Sequence, residues 1–430
     1  MKIFLLLFSL FAISANALDI QSWKTPEGAK VLFVETKGLP MLDIRLNFDA
    51  ASSRDGDKPG VALMTNNLIG TATKNKDEEQ IIQDFESIGA NLSVNSLKDM
   101  SMVSLRTLTR PEILRKAIHY FKEVVTEPVF KHKYLARDKR QTYQAFEADK
   151  QSPGAIANKE FDRLIFADHP YAHPKAGTEE SLKEITIDDI QNHYKQYYVA
   201  KNMNIAIVGD IDKAKAMTIA RMLSQGFREG EKPPLNPMVS PLKKPIEKHI
   251  EFPSTQTHLL IGHSGINRKH PDYYSLYIGN HILGGSGLTA ILSEEIREKR
   301  GLTYSVYSFF SKMKSNGYFQ IKAQTKNKDV NVSRQVALET LRKFLAEPVD
   351  QERFNDAKDN IIGGFALETS SNSNILTYLS VIGFYDLPLT YLDDFISYIE
   401  KTSPDSVQDS FKRLINTDNL VILSVGKTQP

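Results

Sequence analysis

The run "TIDDIQNHYKQYYVAKNMNIAIVGD", residues 186–210, decides the fold, because the chain carries it twice. The second copy is "SPDSVQDSFKRLINTDNLVILSVGK", residues 403–427. At a constant offset of 217, Asp188 meets Asp405, Gln191 meets Gln408, Tyr194 meets Phe411 and Lys195 meets Lys412. Asn202, Val208 and Gly209 then meet Asn419, Val425 and Gly426 at the same offset. Each copy opens on a hydroxyl residue suited to cap a helix, continues with a helical apolar period, and ends in an apolar run closed by Gly. That is a capped amphipathic helix followed by a strand. A looser match at an offset of 214 sets Asn66 against Asn280 and Gly70 against Gly284. Two similar offsets, in the same order, predict a duplicated domain.

Between the copies lies "REGEKPPLNPMVSPLKKPIEK", residues 228–248, which holds five of the 19 prolines and has neither a helical nor a strand period. It reads as an interdomain linker. The expected division is therefore residues 18–227 for a first domain, 228–248 for the linker and 249–430 for a second. Within the first half, "AKVLFVET" and "MLDIRLNFDA" read as strands, and residues 60–69 and 77–88 read as helices. "ANLSVNS" and "MSMVSLRTL" are strands again, and an interrupted helical stretch runs over residues 111–167. Strands and helices come in blocks rather than in strict alternation. The expectation is an α+β fold of two homologous domains, each a mainly antiparallel sheet with helices packed on one face.

A chain of 430 residues, 41% of them hydrophobic, has enough material for two such cores. Its formal charge of +2 and the absence of any long block of like charge give no sign of a nucleic-acid surface. The opening "MKIFLLLFSLFAISANA" has a positive Lys2, an apolar run over residues 3–13 and an Ala15-Asn16-Ala17 cleavage pattern. The run is shorter than the roughly 20 residues that a spanning helix needs, so residues 1–17 are expected to be a signal peptide. Export, most simply to a bacterial periplasm, follows, with no membrane insertion after cleavage. No cysteine occurs anywhere, which rules out disulfides and thiolate metal sites.

The pattern resembles the pitrilysin/insulinase-type zinc peptidases, in particular the short bacterial branch similar to mitochondrial processing peptidase. The resemblance rests on "SEEIREKRGLTYSVYS", residues 293–308, and on "HPYAHPKAGTEESLKEITIDDIQNHYKQYY", residues 169–198, followed by "NMNIAIVGD". It implies half of a clam-shell, with a second half closing over a peptide chamber. Active members carry HxxEH on a helix: two His one turn apart bind zinc, and the Glu between them is the general base for the zinc-bound water. In this chain "GVALMTNNLIGT", residues 60–71, keeps the frame. The first His position is Leu63, the Glu position Asn66 and the second His position Asn67, while the family's distal Glu falls on Gln144. All four are uncharged. Leu has no lone pair, and Asn and Gln can neither neutralise zinc nor take a proton from water. No shift of register rescues the site, since no His lies between Leu18 and His119. Glu147, about one turn from Gln144, is a single carboxylate. His169 and His173 have a ligand-like spacing, but Pro170 and Pro174 work against a helix that would hold both, so they read as packing residues.

The second half keeps what the first half lost. Arg297 and Tyr304, in "REKRGLTY", match the Arg and Tyr that the family's C-terminal halves contribute to catalysis. A tyrosine hydroxyl can bond a developing oxyanion, and an arginine can hold the neighbouring carbonyl. Taken without the family they would be a solvated helix charge and a strand aromatic. Gly284, Gly285, Ser286 and Gly287 lie just upstream, and either a tight turn or a substrate contact accounts for them. The resemblance thus implies a non-catalytic subunit with no metal or cofactor of its own. Its partner is a homologous HxxEH chain holding zinc, and the substrate is unfolded peptide. The alternative is an inert homodimer that encloses peptides as a holdase or carrier.

Overall fold

The computed structural model describes residues 18–428, so the signal-peptide expectation lies outside the described residues. Two sheets organise the chain. The first contains β1 (Gln21–Lys24), β2 (Lys30–Glu35), β3 (Met41–Phe48), β4 (Asn91–Ser96), β5 (Ser101–Leu108) and β6 (Met203–Gly209). The second contains β7 (Ile246–Glu251), β8 (Gln256–Ser264), β9 (Thr303–Ser311), β10 (Tyr318–Lys326) and β11 (Val421–Gly426). Their orders are β1-β2-β6-β3-β5-β4 and β7-β11-β8-β10-β9. Removing β1 makes the two orders identical. The last strand of each half inserts parallel to an early one, β6 beside β2 and β11 beside β7, and every other pairing is antiparallel. The duplicated run supplies the inserted strand, together with the helix before it. Thr186 and Ser403, 217 apart, both close capping boxes at the starts of Ile187–Tyr197 and Pro404–Leu414. After β6 the chain forms the helix Lys213–Ser224 and is then irregular until β7, which begins at Ile246, inside the stretch read as linker.

Each sheet carries helices of its own half on one face. The opposite face is covered by one helix borrowed from the other half. Pro153–Phe166 lays Ala157, Phe161 and Ile165 against Leu260, Val421 and Leu423 of the second sheet. Asn372–Phe384 lays Ile375, Leu376, Leu379 and Ile382 against Leu32, Val34, Ala206 and Val208 of the first. Both-face burial is why β6 is buried at every position rather than at alternate ones. Each large apolar side chain taken fully out of water contributes about 1.5–3 kcal/mol, against about 1 kcal/mol for a typical hydrogen bond. Helix exchange therefore outweighs the peripheral polar contacts of the same seam, such as Thr36–Asn372 and Lys322–Asn158.

A buried polar network crosses the seam. Asp49, at the end of β3, accepts two bonds from the Arg54 guanidinium and one from Lys314 Nζ of the other half, each 2.7 Å. The Lys314 backbone N–H donates to Asp99, whose other oxygen accepts from the Tyr171 hydroxyl at 2.6 Å. The proline-rich stretch is strapped to the same network: Asn236 Oδ1 accepts from Arg54, and the Val239 N–H donates to Ser315. His169, of the HPY loop, is buried; its Nδ1 accepts from the Tyr171 N–H and its Nε2 meets the Pro237 carbonyl. It is a packing residue.

Candidate functional site

The helix Val61–Leu68 carries the frame residues, and the local sequence fixes its start. Asp55 accepts from the Gly60 and Ala62 N–H groups at 2.8 and 2.9 Å, satisfying donors that a helix start leaves open. Burial pushes the Asp55 carboxyl up to about 7, against the pull of those two N–H groups and of Lys98. Gly60 has a left-handed backbone (φ +99°), and a Cβ there would lie 2.8 Å from the Ala176 carbonyl oxygen, so only Gly fits.

From that start the degenerate positions take structural roles. Asn66 is fully buried; its amide donates to the Asn95 carbonyl at 2.9 Å and its Oδ1 accepts from the Tyr198 hydroxyl at 3.0 Å. The residue in the general-base position thus joins the helix to β4 and to the duplicated run. Asn67 donates to both Asp138 oxygens at 3.3 and 3.4 Å. Burial raises the Asp138 carboxyl and the Asn67 bond opposes that. Asp138 was not apparent from the sequence; its signal was a position on the same helix as Gln144, upstream of it. Gln144 is exposed, and Glu147 pairs with Lys150 at the surface. Among the described residues no group of three or more His, Cys, Asp or Glu is arranged to hold a metal ion.

Leu63 lines a cleft of about 530 Å³ between the halves. Its wall is mainly apolar, with Leu97 and Phe146 from the first half and Met313 and Tyr318 from the second. Arg297 and Tyr304 do not line it. Arg297 lies on the turn that precedes β9, and Tyr304 lies on β9 itself, the edge strand of the second sheet. Arg297 lies on a π-helical turn, Ser293–Glu298, a form frequent at functional sites. Neighbouring Lys299 and Arg300 are tied to Glu294 and Glu295 at 2.7–2.8 Å, whereas the carboxylate nearest Arg297 is the exposed Glu298 at 3.6 Å. Tyr304 is the unpaired residue of a β-bulge: Ser305 faces Gln324 and Thr303 faces Thr325, leaving Tyr304 without a partner in the ladder. The Thr303 hydroxyl holds the bulge by accepting from the Ser305 N–H. The bulge turns the ring outward, leaving it 75% exposed, and its hydroxyl has no hydrogen-bond partner among the described residues.

The glycine-rich segment divides. Gly284 is buried in a second π-helical turn, His281–Gly285, and a Cβ there would come within 2.5 Å of the Ser308 nitrogen on β9. Gly285 would meet the Asn280 backbone at 3.0 Å, whereas Gly287 has a left-handed backbone with open space around it. Gly284 is therefore a packing residue, and the exposed tip at Gly287 and the half-exposed Ser286 remain free to contact a ligand. Gly284→Ala is expected to lower stability by about 1–3 kcal/mol in urea unfolding, because β9 backbone has to shift. An unchanged midpoint would show slack at this contact.

Residues 30–179 match the family Insulinase (Peptidase family M16), and residues 184–361 match Peptidase M16 inactive domain. The crystal structure of a peptidase M16 inactive domain from Pseudomonas fluorescens superimposes with a TM-score of 0.93 at 39% identity, covering 96% of this chain and 98% of that one. A Helicobacter pylori (strain ATCC 700392 / 26695) relative named Non-peptidase homolog YmxG is 26% identical over 435 residues, 98% of this chain and 97% of the relative. A Bacillus subtilis (strain 168) relative named Uncharacterized zinc protease YmxG is 22% identical over 380 residues, 86% of this chain and 90% of the relative.

Proposed function

The chain belongs to peptidase family M16, as an inactive homologue without the family's metal ligands, and from that premise we propose that it is the non-catalytic half of an exported two-chain zinc peptidase. Its partner is a homologous chain whose HxxEH helix holds the zinc, and the substrate is unfolded peptide held between the two. Arg297 and Tyr304 serve the partner's site: the phenol bonds the oxyanion and the guanidinium fixes the adjacent carbonyl. The observation that carries this reading is the bulge at Tyr304. An exposed aromatic with an unpartnered hydroxyl, on the strand that follows the turn of an arginine paired only with the exposed Glu298 at 3.6 Å, has no bonded role within its own chain among the described residues. The separation of this pair from the cleft at Leu63 also supports action in trans.

The test is reconstitution with an HxxEH homologue encoded beside it. After chelator rinsing, the chain alone is expected to retain no stoichiometric zinc and to leave unstructured peptides uncut. Mixing is expected to give a co-eluting pair with chelator-sensitive cleavage. Cleavage by the pure chain, reduced by Asn66→Ala, would overturn the reading. Stable pairing without any gain in cleavage over the partner alone would favour the inert peptide carrier.

A further inference from the structure

The cleft at Leu63 holds a charge arrangement that the catalytic reading does not use. Five cations line it: Lys98, Lys159, Lys175, Arg268 and Lys312. Lys98 pairs with Asp162 at 3.0 Å and Lys159 with Asp149 at 3.1 Å. Lys175 bonds the Ser96 carbonyl at 3.1 Å. Arg268 and Lys312 have no carboxylate within salt-bridge distance among the described residues. Both come from the second half, on adjoining segments joined by the Arg268 N–H to the Met313 carbonyl at 3.0 Å. The Arg268 guanidinium lies 5.1 Å over the Tyr385 ring, and its buried Nε has no acceptor. The Lys312 ammonium lies 4.7 Å over the Tyr273 ring. Burial, then the Arg268 charge, pushes Lys312 down to about 8, so it remains mostly ammonium at neutral pH.

Aromatic faces attract a cation only weakly and do not replace a carboxylate. Two neighbouring, partly desolvated cations without an anion cost stability, and such an arrangement persists where a ligand completes it. The cleft is of ordinary ligand size, and its apolar wall suits side chains flanking the charge. We propose that this cleft binds a carboxylate-bearing, apolar-flanked peptide segment and seats the carboxylate between Arg268 and Lys312. The guanidinium takes the carboxylate through its planar fork and the ammonium supplies the third donor. The ligand lies against Leu63, where a catalytic half would place its metal, so the frame has become the wall of an anion site. This rests on the peptide-handling part of the function above and is independent of the catalytic partnership.

The carboxylate has two sources, a free C-terminus or an acidic side chain, and the probe separates them. Three apolar-rich extended peptides, each labelled with an uncharged BODIPY dye that has no free carboxylate, are titrated with the full chain, without partner, by anisotropy: free C-terminus and no acidic residue, amidated, and amidated with one internal Glu. Amidation is expected to weaken binding about tenfold or more, the size of a lost charge-assisted bond. Recovery with the Glu peptide assigns the site to side chains, and no recovery assigns it to the terminus. Arg268→Gln and Lys312→Met are each expected to abolish the preference for the charged peptide, Lys312→Arg to keep it, and Lys343→Gln, away from the cleft, to leave it unchanged. Circular dichroism checks folding, and the peptide arms decide the question in the unmutated chain. Equal binding of all three peptides, insensitive to Arg268→Gln and Lys312→Met, overturns the carboxylate site while leaving peptide handling intact. Binding of none overturns both.

Discussion

Asp49→Asn lowers the unfolding free energy by about 3–5 kcal/mol, the cost of breaking a buried ion pair from one side. The Asp49 side chain is 3% exposed, and its carboxylate is the anion shared by Arg54 and Lys314, which are 7% and 14% exposed. An asparagine has nearly the same shape but turns an N–H₂ group toward one of two cations that water does not reach. The loss is desolvation without compensation, so it exceeds the about 1 kcal/mol of an ordinary hydrogen bond. Adding Lys314→Met removes one stranded charge, and the double variant is expected to lose less than the sum of the singles. Urea unfolding of the four chains measures the cycle. A loss below about 0.5 kcal/mol for Asp49→Asn, the range of ordinary surface changes, would show that water reaches this seam.

The same network sets an acid limit. Burial alone would raise the Asp49 carboxyl, but the bonds and charges of Arg54 and Lys314 outweigh it and hold it below the usual carboxylate range. At Lys314 burial wins instead, and the ammonium sits below its ordinary value despite Asp49 and Asp99. The Asp49 direction governs acid stability, because that carboxylate collects three short bonds from two cations. A depressed folded value means stability that is present above the unfolded value and is lost as pH falls through the folded one. The gap between wild type and Asp49→Asn is therefore widest near neutrality and narrows below about pH 4.

The duplication was legible because the repeated helix and strand are held by local rules: a capping hydroxyl, a 3.6-residue period and a closing glycine. The M16 membership was legible for the same reason, as the frame positions Leu63, Asn66 and Asn67 keep their register on one short helix. The helix exchange was not. Period and capping report one element at a time, and "NSNILTYLSVIGF" reads as apolar without saying which sheet it covers. A partial signal existed in "VLFV" and "IAIVG", whose unbroken apolar runs require cover on both faces. Nor could the sequence show that Asn66 holds Tyr198 or that Gly284 makes room for β9, because those partners lie far along the chain. The seam network and the Arg268–Lys312 pair were invisible for the same reason: a charge reveals its partner, or the lack of one, only when folded.

Tyr304→Phe is expected to leave the isolated chain as stable as wild type and to cripple the reconstituted pair. The first half follows from the structure: the hydroxyl touches no hydrogen-bond partner among the described residues, so removing it strands nothing. The second follows from when the proposed bond matters. An oxyanion contact strengthens only as charge develops, so its loss falls on kcat more than on KM. One such donor contributes about 3 kcal/mol, so the rate should drop about a hundredfold or somewhat more. Arg297→Lys should weaken activity as well, because a point charge does not reproduce the planar fork. Co-elution with the partner keeps assembly defects out of the comparison. Full activity of the Tyr304→Phe/Arg297→Lys double variant in an intact pair would leave this edge of the sheet a scaffold only. A rise in KM with kcat unchanged would make the hydroxyl a ground-state peptide contact, and the bulge would then serve binding rather than catalysis.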